Sequence, residues 1–134
     1  VPATSLDPAR IVLAGTRSID PGETDYISRH AITTLSSDAI SGDALVAAIE
    51  ATGATSVYVH IDLDVIDPAD LQGVNDPAPF GVPSNDLVAS IKAVVSRFPL
   101  AGAGITQFAP RSPADAVDDL PTILRLVGAL AAAG

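Results

Sequence analysis

The sequence predicts an α/β protein built on a mostly parallel sheet, and three observations predict it. Four short β-branched or apolar runs alternate with stretches of helical periodicity, the order in which strand-helix units feed a parallel sheet. Only five of the 134 residues are aromatic and neither Trp nor Met occurs, so the core must be assembled from Ala, Val, Leu and Ile, which suit buried parallel strands. With 48% apolar residues, 10 Gly and 11 Pro, the composition is that of one globular domain over residues 1–134, neither collagen-like nor disordered.

Taken in order, the first strand is Ile11 to Gly15, followed by the turn-rich Arg17-Ser18-Ile19-Asp20-Pro21-Gly22 and a short helical stretch from Glu23 to His30. Ala31 to Leu35 is a weaker second strand. Ser41 caps a helix with apolar residues at helical spacing from Asp43 to Ile49, closed by Gly53. Ser56 to Asp62 is apolar at nearly every position until its acidic end, as a central parallel strand should be. Pro68 to Pro83 holds four prolines, two glycines and an asparagine and must be loop. Ser84 then caps an amphipathic helix through Arg97, with Leu87, Val88, Ile91, Val94 and Val95 on one side. Ala101 to Phe108 is the fourth strand. A last helix runs from about Asp119 or Leu120, with Pro121 in its first turn, to a fraying end at Ala133.

Seven basic against 16 acidic residues give a net charge of −9, a field that repels phosphate backbones and anionic membrane surfaces. Neither nucleic acid nor membrane is an expected partner. Without cysteine there is no disulfide framework, zinc-thiolate site or cysteine nucleophile. The start Val1-Pro2-Ala3 lacks the basic and apolar regions of a signal peptide, and the expected compartment is the cytoplasm. A strand so near an amino terminus without Met reads as the later part of a longer polypeptide.

The chemistry concentrates in His60-Ile61-Asp62-Leu63-Asp64-Val65-Ile66-Asp67-Pro68. Two carboxylates two residues apart share one side of an extended strand, here at its carboxyl end, where open α/β sheets bind ligands. Side by side in a crevice they need a cation to stay ionised, which points to a hard divalent metal on Asp62 and Asp64. The alternative is a pair of turn-forming and capping acids, but an otherwise apolar strand would then absorb the desolvation of two charges merely to turn. His60 shares the strand face of Asp62, as a ligand, as a support behind the ligands, or as a buried histidine bonded to neighbouring backbone, the favoured state. His30 reads as a surface or interface residue.

This string resembles the Asp-x-Asp-x-x-Asp-Pro signature of the ureohydrolases, the arginase, agmatinase and formiminoglutamase family. Upstream, Gly15-Thr16-Arg17-Ser18-Ile19-Asp20-Pro21-Gly22-Glu23 is similar to the family loop that holds the substrate's α-amino end. The resemblance implies a three-layer αβα fold of the arginase and deacetylase kind, incomplete in this chain, which would be its carboxyl-terminal half. It implies that Asp62 and Asp64 are two of six ligands to a pair of manganese ions serving hydrolysis of a guanidino, formimino or amidino carbon-nitrogen bond. Asp67 would stand behind those ligands, and Asp20 and Glu23 would reach the substrate's ammonium group, although a Pro-Gly turn with acids opening a helix accounts for both locally. Gln107, in Thr106-Gln107-Phe108-Ala109-Pro110, stands where the family places an acid that pairs with guanidinium.

Three departures accompany the likeness. Ser18 replaces an acid of the arginases, Gln107 offers an amide suited to a neutral imino or amide group, and the loop from Leu71 to Gly81 lacks the family's Gly-Gly segment. The family's remaining ligands, two histidines and two aspartates, and its proton-shuttling histidine belong to motifs nearer the amino terminus. The chain alone is therefore expected to be inactive, with the amino-terminal part of the same protein filling a strand slot between its first and third strands. Homo-oligomerisation is a further expectation. Two other readings stand beside this one. One is a ureohydrolase-like scaffold that has lost catalysis. The other is a haloacid-dehalogenase-like phosphatase, suggested by Asp62-Leu63-Asp64-Val65 but opposed by Pro68 and by a lone lysine, Lys92, in a helix.

Overall fold

The computed structural model describes residues 3–132; the expected helix end at Ala133 and the terminal Val1 and Pro2 lie outside them. Four strands and four α-helices follow in order: β1 (Val12–Ala14), α1 (Pro21–Arg29), β2 (Thr33–Leu35), α2 (Gly42–Ala51), β3 (Val57–Asp62), α3 (Ser84–Arg97), β4 (Leu100–Thr106) and α4 (Pro113–Ala131). Every strand pairing is parallel, as the alternation of strands and helices requires. The strands form two separate pairs, β1 with β2 and β3 with β4, rather than one sheet.

The core sits on one face of the β3-β4 pair. Ile61 of β3 and Leu63 just beyond it pack with Leu87, Val88, Ile91 and Val95 of α3 and with Leu126, Ala129 and Leu130 of α4. Leu63 and Leu126 are completely enclosed, each contributing about 2 kcal/mol of apolar burial. Because side chains alternate along a strand, Tyr58, His60 and Asp62 stand on the other face, and Tyr58 is 65% exposed. The near-continuous apolar run of β3 is that of a strand covered on both faces, yet the helices of this chain cover one.

Two helix starts differ from expectation. Ser84 is the first residue of α3 rather than its cap; Pro83 holds the cap position and the carboxylate of Asp70 accepts the Ser84 amide at 2.7 Å. The last helix begins at Pro113, not near Asp119, because the Ser112 side chain accepts the Asp115 amide at 3.1 Å and Pro113 fills the first turn. Pro121 therefore lies inside α4. The missing hydrogen bond costs about 3 kcal/mol, offset by the burial of Leu126, Ala129 and Leu130 farther along. The outward side of α4 carries exposed Val117, Leu120, Leu124 and Val127. Among the described residues no helix is long and apolar enough to cross a membrane.

Candidate active site

Asp62 ends β3, with Asp64 and Asp67 just beyond it; Asp20 and Glu23 follow β1, and Gln107 follows β4. Asp62 is the last residue of β3, and its Oδ1 accepts from His60 Nε2 at 2.9 Å and from the Thr106 hydroxyl across the strand pair. His60 Nε2 also lies 3.2 Å from Thr106 Oγ1. His60 is thus not the buried, backbone-bonded histidine favoured above. Its side chain is 49% exposed and that of Asp62 50%, because both project from the uncovered face of β3.

Asp64 occupies a different setting. The strand ends at Asp62, and Leu63–Val65 form a 3-10 turn, so the alternation of an extended strand does not relate the two acids. Leu63, between them, is completely buried. What fixes Asp64 is Arg17, whose guanidinium donates to the carbonyls of Gly15, Asp64, Val65 and Ala78 at 2.5 to 3.2 Å. One side chain ties together the end of β1, the turn after β3 and the following loop. The sequence offered no signal for this beyond an arginine in a turn-rich stretch, since all four acceptors are backbone atoms. Arg17 Nε is buried without a partner among the described residues.

Asp67 organises the loop that follows. Its Oδ1 accepts the Ala69 amide at 2.9 Å and its Oδ2 the Gly81 amide at 3.0 Å, joining the start of the loop to its end. A side chain at Gly81 is excluded, because a Cβ there would lie 2.5 Å from the Asp67 backbone nitrogen. Asp20 and Glu23 form a reciprocal capping box on α1: Asp20 Oδ1 accepts the Glu23 amide at 2.8 Å and Glu23 Oε2 the Asp20 amide at 2.9 Å. Each uses one carboxylate oxygen in this way and is exposed to solvent. Gln107 follows β4 with a left-handed backbone, φ 73°, which costs a non-glycine residue about 1 kcal/mol and is a common mark of functional positions.

The donors agree in kind with a divalent cation but not in number. Asp62 and Asp64 supply hard carboxylate oxygens. Among the described residues, however, no three His, Cys, Asp or Glu side chains come together as a metal-holding group.

A cleft of about 910 Å³ runs between the two strand pairs, walled by β1 and β3 and floored by apolar side chains that include Ile40, Leu45 and Ile91. The facing edges of β1 and β3 are unpaired with each other along it.

Comparison with known proteins bears on this geometry. The arginase family model matches residues 1–119. The chain is 33% identical over 95 residues to proclavaminate amidinohydrolase of Streptomyces clavuligerus, a match covering 66% of this chain and 30% of that protein. It is 32% identical over 94 residues to N(omega)-hydroxy-L-arginine amidinohydrolase of Streptomyces lavendulae, covering 70% and 32%. The fold is similar to that of Entamoeba histolytica arginase, crystallised in complex with L-ornithine. The TM-score is 0.81 at 22% identity, over 92% of this chain and 43% of that one. The chain spans about a third of the curated relatives it matches and under half of the solved structure.

Proposed function

The chain belongs to the arginase family, and on that premise we propose that it is the carboxyl-terminal part of one arginase-like domain that hydrolyses a carbon-nitrogen bond of a guanidino, formimino or amidino compound. The observation that carries the reading is Asp62, held by His60 and Thr106 at the carboxyl end of a parallel strand, in the signature string of such hydrolases.

Asp62 and Asp64 would each give carboxylate oxygens to a pair of divalent ions, manganese being the expected metal. When bound, such a pair supplies a water-derived nucleophile at neutral pH and polarises the carbon under attack. The protein's own part is positioning. His60 and Thr106 engage Oδ1 of Asp62 and so fix the rotation of its carboxylate. Arg17 sets the backbone of Asp64, and Asp67 holds the loop behind both. Asp20 and Glu23 keep one oxygen each outside their capping box to meet a substrate ammonium group. Gln107 presents an amide rather than a carboxylate, which favours a substrate whose reacting end carries a neutral imino or amide function over a guanidinium cation.

The remaining donors would come from the preceding part of the same protein. The cleft between β1 and β3 supports this, since bare strand edges lined by apolar side chains are a surface that another strand completes. A cytoplasmic location and assembly of the completed domain into homo-oligomers belong to the same reading.

The test is hydrolysis of a panel of guanidino, formimino and amidino compounds with manganese, by residues 1–134 alone and by the complete polypeptide. Turnover by the complete protein only, abolished by Asp62→Asn, is expected. Robust turnover by residues 1–134 alone, or turnover indifferent to Asp62→Asn, contradicts the reading.

A further inference from the structure

Asp119 is a buried carboxylate that the hydrolytic reading leaves without a task. It is 5% exposed, in the interior of α4, where an ionised group is costly unless it is fully hydrogen-bonded. No Lys or Arg side chain pairs with it among the described residues. Its partners are backbone amides of the loop after β3: Oδ1 accepts from Gln72 at 3.3 Å and Oδ2 from Gly73 at 2.8 Å. Gly73 in turn accepts the Ala109 amide on its carbonyl at 2.7 Å.

These contacts form a continuous chain from α4 through the loop after β3 to the segment after β4, two residues from Gln107. The fit at Gly73 is tight. A Cβ there would meet Asp119 Oδ2 at 2.6 Å and the Phe108 ring at 3.0 Å, so the peptide is wedged between the carboxylate and the neighbour of Gln107. Charge-assisted bonds to backbone donors are among the stronger hydrogen bonds; the one from Gly73 is buried and the one from Gln72 part-buried. Gln107, by contrast, holds a left-handed backbone that surrounding structure must enforce.

We infer that Asp119 is a positioning residue for Gln107, acting through Gly73 and Ala109 to hold the Gln107 side chain at the substrate. The inference rests on the proposed function for the role of Gln107, but not for the mechanical link. It deepens that reading by making specificity depend on a helix residue outside the signature strings.

The experiment uses the complete protein. Asp119→Asn is nearly isosteric but turns an amino group towards one of the two amides that now donate to the carboxylate. Two results are expected. Backbone amide exchange at Gly73 and Ala109 accelerates at least tenfold while that of β3 is unchanged, and KM for the hydrolysed substrate rises about tenfold with kcat within about twofold. If Asp119→Asn does not fold, Ala109→Pro removes the donor to Gly73 while leaving the buried carboxylate satisfied, and the same rise in KM is expected. Unchanged exchange at Ala109, or faster exchange with unchanged KM, overturns the inference. If the complete wild-type protein turns over none of these compounds, it is the functional reading that fails. Exchange and the chemical shifts of Gln107 in Asp119→Asn then decide the positioning role, with unperturbed shifts overturning it.

Discussion

Arg17 shows how much of a site can rest on a residue with no chemistry of its own. Its four carbonyl acceptors come from three stretches of chain, so its loss would free the turn carrying Asp64 and leave several carbonyls unsatisfied. Arg17→Met is expected to destabilise the complete protein by about 3 kcal/mol in urea unfolding, and Arg17→Lys by less, because an ammonium reaches fewer of the four. Equal effects of the two substitutions would mean that charge alone matters. The acids of the signature stood out in sequence because their types and spacing are those that metal ligation requires. The setting of each did not. Asp64 lies in a 3-10 turn tied down by the distant Arg17, and His60 is half exposed because its strand face is uncovered, both consequences of tertiary packing. The local role of Asp20 and Glu23, acids opening a helix, was legible, and the capping box shows it.

At the scale of elements, strands and helices followed from periodicity, and the errors fell at helix starts and at the end of β4, expected to reach Phe108 but ending at Thr106. Ser41 caps α2 as expected, through the Ala44 amide at 3.1 Å. Ser84 looked equivalent in sequence, but α3 receives its cap from Asp70, fourteen residues earlier, a partner that only the folded loop brings near. Asp70→Ala is expected to cost about 1 kcal/mol in thermal or urea unfolding and Asp70→Asn distinctly less, since an amide oxygen can still accept the Ser84 amide. Equal losses would show that the cap is not what Asp70 provides. Pro121 suggested a helix start because proline is best tolerated there, yet Ser112 and Pro113 form an earlier start signal, and the core contacts of Leu126 and Leu130 hold the helix through the proline. That misplaced start also hid Asp119, which reads as a capping acid only if the helix begins beside it.

Across the whole molecule, the family likeness, the two separate strand pairs and the cleft between them support the proposal that a complementary part supplies a strand and the other metal donors. Parallel pairing was legible from residue order; helix cover on one face only was not, because β3 reads as a strand covered on both. The gap between β1 and β3, which are not hydrogen-bonded to each other, lies where the family resemblance placed a missing strand. Nothing in the fold supports the phosphatase reading, and Lys92 lies exposed on α3. The most direct measurement is calorimetric titration of the complete protein with manganese, beside Asp62→Asn and Asp64→Asn. Two ions per subunit in the wild type, with affinity falling at least tenfold in each variant, is the predicted result. Manganese binding that is absent, or equally tight with either aspartate replaced, would contradict it.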